Sequence, residues 1–109
     1  MSLPTTMRAL VQTSLKGPQD LRYVTDAPVP IPRGPELLIR VAAAGVNFAD
    51  LSKSYGSFKG GPAPPFVAGF DAAGEVVAVG DGVRGWELGA LVAGVGLGAF
   101  AEYMLLPAA

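Results

Sequence analysis

A mainly β domain, built as a partly open barrel with one short helix over residues 47–55, is what this sequence predicts. Three observations point there. Short apolar runs recur at near-regular spacing, separated by clusters of turn residues. Fifteen glycines and ten prolines among 109 residues favour many turns and short strands. One stretch alone, beginning at Asn47, carries the signals of a helix start followed by a stop. The length suits one domain with a single core, so residues 1–109 are expected to form one unit.

The elements follow in order. Residues 7–12 read as a first strand and residues 21–25 as a second, with Lys16-Gly-Pro-Gln turning the chain between them. Residues 27–35 hold four prolines, so this stretch cannot pair as a central strand and should run extended along the surface. Residues 36–43 make the best strand. Alternation puts Leu37, Ile39 and Val41 on one face, with Leu38, Arg40 and Ala42 on the other. Gly45 ends that run. Asn47 is a good N-cap, Asp50 falls in the first turn where the helix dipole favours a carboxylate, and Phe48 is expected to pack. Gly56 stops the helix. Residues 57–65 form a loop, residues 74–79 resume the sheet, and residues 80–85 are a tight connection. Residues 88–93 and 100–106 are the last strand candidates.

Composition closes several routes. Half the residues are hydrophobic and 16% are charged, which excludes disorder. A net charge of −1 gives no electrostatic reason to expect nucleic acid or an anionic membrane as partner. The chain has neither cysteine nor histidine, so a disulfide framework is impossible and zinc would have only carboxylates, which almost never bind it alone. General acid–base catalysis loses its commonest side chain. Residues 1–6 have no basic start and no apolar stretch, so no signal peptide is read there. The uncharged run 88–101 is shorter than the ~20 apolar residues a membrane helix needs. A cytoplasmic protein is the expectation.

Two segments carry a resemblance. Ala42-Ala-Ala-Gly-Val-Asn-Phe-Ala-Asp50 and Pro65-Phe-Val-Ala-Gly-Phe-Asp-Ala-Ala-Gly-Glu-Val-Val-Ala-Val-Gly80 resemble the N-terminal GroES-like catalytic domain of the medium-chain dehydrogenase/reductase superfamily, in its zinc-free quinone oxidoreductase branch. Gly98-Ala-Phe-Ala-Glu-Tyr103 matches a third motif of that family. Where zinc-dependent relatives place a cysteine and a histidine, this chain has Asn47 and Phe70. The resemblance implies NADPH as cofactor, a quinone or other α,β-unsaturated carbonyl as substrate, no zinc, and a homodimeric parent protein. It also implies a nucleotide-binding domain that is absent from this chain, without which the domain should be inactive. Asn47 would stand at the floor of the cleft between the two domains, near the nicotinamide, as the catalytic and cofactor-binding residue. Its carboxamide could hold a cofactor hydroxyl or polarise a substrate carbonyl. Phe58, Phe70 and Tyr55 would line the substrate pocket. Asp50 and Asp71 are structural carboxylates near the site, Asp71 pairing with a cation or capping backbone donors.

The chain departs from the branch in places. Ser52 stands where a tyrosine is usual and Ser54 where an arginine is frequent, so the resemblance carries no substrate contact over to those positions. Gly89-Ala-Leu-Val92 replaces a usual Gly-Asp-Arg-Val. Gly94-Val-Gly-Leu-Gly-Ala99 fits the dinucleotide pattern G-x-G-x-x-[GA], but Pro107 limits any following helix and no acidic residue lies about 20 positions on. The family reads that stretch as a glycine-rich hairpin. Two other readings stand beside the reductase: a non-enzymatic GroES-like assembly or interaction module, and a fragment of a zinc alcohol dehydrogenase.

Overall fold

In the computed structural model, which describes residues 2–108, seven strands form two sheets and one α-helix lies between them in sequence. The strands are β1 (Thr6–Gln12), β2 (Leu21–Pro28), β3 (Glu36–Ala44), β4 (Phe66–Val67), β5 (Asp71–Val79), β6 (Leu91–Val95) and β7 (Tyr103–Pro107), and the helix α1 spans Phe48–Ser54. One sheet has the order β2-β1-β4 and the other β6-β5-β3-β7. Every paired strand is antiparallel. The sheets do not close, so the architecture is the mainly β, partly open barrel with one helix that the sequence predicts.

β3 and β5 are the centre of the four-stranded sheet. Leu37 and Ile39 on β3 enter one buried cluster with Val76, Ala72, Met104 and Leu106, and Val41 packs against it. The expected alternation therefore holds on that face. Leu38 is also buried, outside that cluster, while Arg40 and Ala42 are exposed. A second, smaller cluster of Met7, Ala9 and Ala27 seats the three-stranded sheet. The proline-rich stretch enters the structure as predicted for such a sequence. Its first two residues end β2, an edge strand, where a missing N–H is harmless.

Segment 98–102 stitches the sheets together. The Leu10 N–H donates to Phe100 O (2.9 Å), the Phe100 N–H to Ala68 O (2.8 Å), and the Val41 N–H to Glu102 O (2.8 Å). An isolated bridge joins Ala9 to Ala101. This explains why β7 begins at Tyr103 rather than at residue 100. Gly69 makes the crossing possible. Its φ is +103° and a Cβ there would stand 2.5 Å from Phe100 N, so only glycine fits.

Three local expectations are corrected. Residues 88–90 form a turn through Gly89 (φ +92°) and β6 starts three residues late. Residues 94–99 are not a hairpin, because β6 pairs with β5 and β7 with β3, placing the two on opposite edges of their sheet. Gly94 is inside β6 and no helix follows Gly96, so the phosphate-loop geometry is absent as well. Phe48 does not pack: it is 80% exposed. The inward side of α1 is occupied instead by Lys53 and Ser54, both buried.

Candidate functional site

Local sequence sets the geometry around α1. Asn47 takes the N-cap position with extended backbone (φ −123°, ψ 161°), as its short polar side chain predicts. The cap is built mostly from the other direction. Asp50 Oδ2 accepts the Asn47 N–H at 2.8 Å, which places a carboxylate at the helix start where the dipole favours it. The Asp50 N–H donates to the main-chain oxygen of Asn47 at 3.0 Å. The layout is that of a capping box, yet the Asn47 side chain is drawn elsewhere. Its Nδ2 donates to Asp71 Oδ1 at 2.5 Å.

That contact fixes the carboxamide. With Nδ2 donating to Asp71, the amide nitrogen faces the carboxylate and Oδ1 faces away. Asp71 opens β5, and its main-chain oxygen accepts the Gly45 N–H at 3.1 Å. Gly45 leaves the room this carboxylate occupies, since a Cβ would lie 2.8 Å from Asp71 Oδ1 and push the side chain aside. Asp71 therefore pairs with a carboxamide rather than with a cation. Of the four hydrogen-bonding positions of Asn47, one donor is committed to Asp71, and Oδ1 and the second N–H remain for a ligand.

Beside this pair runs an open trough of about 510 Å³. Gly45 and Asp71 stand on its wall, and its floor is Ala43, Ala44, Ala72, Ala73, Ala93 and Gly94. Small side chains on three neighbouring strands leave room for a flat ring to approach the backbone. A more enclosed cavity of about 200 Å³ lies elsewhere, among Met7, Phe66, Leu97, Tyr103 and Met104. It is mostly apolar, and none of the predicted site residues lines it. Of the predicted site residues, Asp71 lines the trough and brings Asn47, bonded to it, to the edge.

The remaining predicted residues divide into two groups. Phe58 and Phe70 come together around Lys53, whose Nζ lies 4.9 Å from the Phe58 ring centre and 4.2 Å from that of Phe70. Because Phe70 and Asp71 are adjacent, this group and the Asn47 group share one stretch of backbone. Tyr55 is at the opposite end of α1 from Asn47, as the C-cap. Its ring lies over Gly17, where an added Cβ would be 2.6 Å from the Tyr55 ring. Ser54 serves the same corner: its carbonyl accepts the Gly17 N–H at 3.0 Å, and its hydroxyl donates to Leu51 O at 2.6 Å. The main chain at Ser54 thus ties the helix to the β1–β2 turn, and the side chain is buried at that joint.

Lys53 is the residue that sequence reasoning passed over. A lysine in a short surface helix is ordinarily solvated. The one available signal was the loss of a basic residue at 54 with a lysine next to it.

Zinc does not fit this arrangement. Asn47, Phe70 and Asp71 offer a carboxamide, a ring and one carboxylate, and among the described residues no three metal-ligating side chains converge. No helix among the described residues is long and apolar enough to cross a membrane.

Comparison with known proteins agrees with the geometry. The alcohol dehydrogenase GroES-like domain profile matches residues 33–109. Prostaglandin reductase-3 from Mus musculus is 40% identical over 111 residues, covering 98% of this chain and 29% of the relative. Quinone oxidoreductase from Lama guanicoe is 37% identical over 101 residues, covering 91% of this chain and 31% of the relative. Among solved structures, mycobacterial Rv1454c complexed with NADPH superposes with a TM-score of 0.85 at 39% identity, over 94% of this chain and 32% of that one. The chain thus spans less than a third of the length of each of these proteins.

Proposed function

This chain belongs to the alcohol dehydrogenase GroES-like domain family of the medium-chain dehydrogenase/reductases, and on that premise we propose that it is the substrate-side domain of an NADPH-dependent, zinc-independent reductase of quinones or other α,β-unsaturated carbonyls. One observation carries the proposal: a carboxamide locked by a carboxylate at the edge of a trough floored by alanine and glycine. The similarity to a quinone oxidoreductase and to a protein solved with NADPH supports it.

Reduced nicotinamide supplies the hydride for such a reaction, bound mainly by a nucleotide-binding domain. The residues of this chain have the remaining tasks. Asn47 orients a hydroxyl or amide through its free Oδ1 and second N–H, and Asp71 holds the carboxamide so that no rotation is needed when the ligand arrives. The alanine floor lets a planar ring lie flat against β3, β5 and β6. With no imidazole or thiol in the chain, the rate enhancement comes from positioning and electrostatics rather than from a proton relay. Without the nucleotide-binding domain the chain turns over no substrate. The parent protein is a cytoplasmic homodimer in this reading.

The test is NADPH oxidation, with a panel of quinones and enones, by the full-length protein carrying this domain. Turnover is expected without added metal, and Asn47→Ala should lower kcat/KM by about 100-fold, the scale of a lost positioning contact. No turnover on any member of the panel, or turnover only after zinc is supplied, would rule the proposal out.

A further inference from the structure

The geometry at the second half of α1 points to a ligand site that the reductase scheme leaves unused. We propose that Lys53, held between Phe58 and Phe70, is the seat for an oxyanion carried on an aromatic ring, such as an arene carboxylate or the phenolate of a hydroquinone.

Lys53 is 6% exposed. An ammonium carries three N–H donors and accepts nothing, so burial normally comes with a carboxylate or several carbonyls. Neither is present. The ion pairs among the described residues are Arg8–Glu102, Arg22–Asp20 and Arg40–Glu75, and Lys53 makes no side-chain hydrogen bond. Even Asp50, one turn earlier on α1, is not engaged, although its Oδ1 is enclosed and has no donor. Lys53 turns instead to two ring faces, at 4.2 and 4.9 Å from their centres.

Ring faces attract a cation, and the C-terminal turn of a helix favours one. These two effects make the burial tolerable. They do not provide an acceptor for any of the three N–H bonds. Asp50 Oδ1 is the one fully enclosed side-chain atom without a partner among the described residues. The Lys53 ammonium is not such an atom: its tip reaches solvent, where water serves its N–H bonds until a ligand's acceptor displaces it. The loop at Phe58–Gly61 passes close to the stem of Lys53. A Cβ on Gly61 would lie 3.8 Å from Lys53 Cγ, and the Gly61 N–H closes that loop onto Phe58 O at 3.0 Å.

The surroundings select the ligand. Two aromatic walls flanking one positive charge suit a planar apolar body with an anionic oxygen at its end. A small hydrated anion such as acetate gains the charge and loses the walls; a neutral aromatic gains the walls and leaves the ammonium unpartnered. Binding in this sense needs nothing from the reductase reading. Only its meaning in turnover, as the group that receives the anionic oxygen of the reduced ring, rests on that reading.

Titration of the 109-residue chain with benzoate, benzamide and acetate, followed by NMR at the Lys53 side-chain methylene and Phe70 ring signals, tests the site. Benzoate should shift both sets and bind at least ten-fold more tightly than benzamide or acetate. Lys53→Met, which keeps the stem and its ring contacts, should erase the preference for benzoate and melt no lower than the native chain. Lys53→Arg should keep the preference. Equal affinity for benzoate and benzamide, shifts centred on Asn47 instead of Lys53, or no shift with benzoate would overturn the proposal. A benzoate response without NADPH turnover would remove the reductase reading and leave the seat standing; turnover without that response would do the reverse.

Discussion

The two ends of helix α1 meet the start of β5 in opposite ways. At the N-terminal end, Asn47 and Asp50 bond to each other and Asn47 bonds to Asp71, so the polar groups there restrain one another. At the C-terminal end a cation on a buried side chain faces Phe58 and Phe70 and makes no hydrogen bond or ion pair among the described residues. Between them the helix turns its apolar residues the wrong way for a core element: Phe48 and Leu51 are exposed while Lys53 and Ser54 are buried. A seven-residue helix has little propensity to form in isolation. It is held here by its ends, and the difference between those ends separates a site built for rigidity from one with unused binding capacity.

The largest effect should come from crowding the rigid end. In Gly45→Val the new side chain has to displace Asp71, because even a Cβ falls 2.8 Å from Oδ1. A loss of about 1–3 kcal/mol is expected in denaturant unfolding, the usual cost of overpacking, together with loss of the Asn47 side-chain amide NMR shift that marks the Asp71 contact. An unchanged shift would mean that the carboxamide is not locked.

Next in size is the coupling itself. Asn47→Ala removes the cap position and the bond to Asp71, and should cost about 1–2 kcal/mol. The double-mutant cycle with Asp71→Ala isolates the pair, with an expected coupling of about 1 kcal/mol, reduced from the buried value because Asn47 is exposed. Additive single effects would reduce the pair to a coincidence of packing.

Much of this region was legible in the sequence, and what escaped did so for physical reasons. Gly45, Asn47 and Gly56 bracket the helix, and each is a residue with a specific backbone role. The apolar alternation of Leu37, Ile39 and Val41 marks the central strand. β4 has two residues, too few for any periodicity to register. The order of β6 and β7 depends on which partner each strand finds across the barrel, and no local pattern around Gly94–Gly98 encodes that. Lys53 and Phe48 escaped for one shared reason. Polarity normally sorts a helix into an inside and an outside, and this helix inverts the rule.

Removing the charge at the unpartnered end should act in the other direction. Lys53→Met deletes a buried ammonium and keeps a chain of similar length over the same rings. Native stability is expected to stay level or to rise, by up to about 1 kcal/mol, since relief from burying most of an ammonium side chain offsets the lost attraction to the two rings. Thermal unfolding decides. A marked fall would show that the ring contacts alone stabilise the charge, and the contrast between the two ends of α1 would then disappear.

The smallest effect lies away from the helix and calibrates the others. Glu102 accepts the Arg8 N–H at 2.7 Å and the Arg8 guanidinium at 2.9 Å, at the point where segment 98–102 crosses between the sheets. The side-chain hydrogen bond from Arg8, followed by the backbone one, holds the Glu102 carboxyl below its ordinary range, and the same contact raises Arg8 above its own. The sign follows from linkage. A carboxyl whose folded pKa is depressed contributes stability that is present above the unfolded value, about 4.3 for glutamate, and lost as pH falls through the lower folded value. Arg8 titrates far above this window and adds no pH dependence within it. Glu102→Gln keeps an acceptor for the Arg8 N–H and removes only the charge, so the variant should melt slightly below the native chain at neutral pH. Because both partners are solvent-accessible, the difference should shrink with added salt and close as the pH drops below the ordinary glutamate range. A gap that persists in acid would assign the effect to packing at the crossing and not to the ion pair.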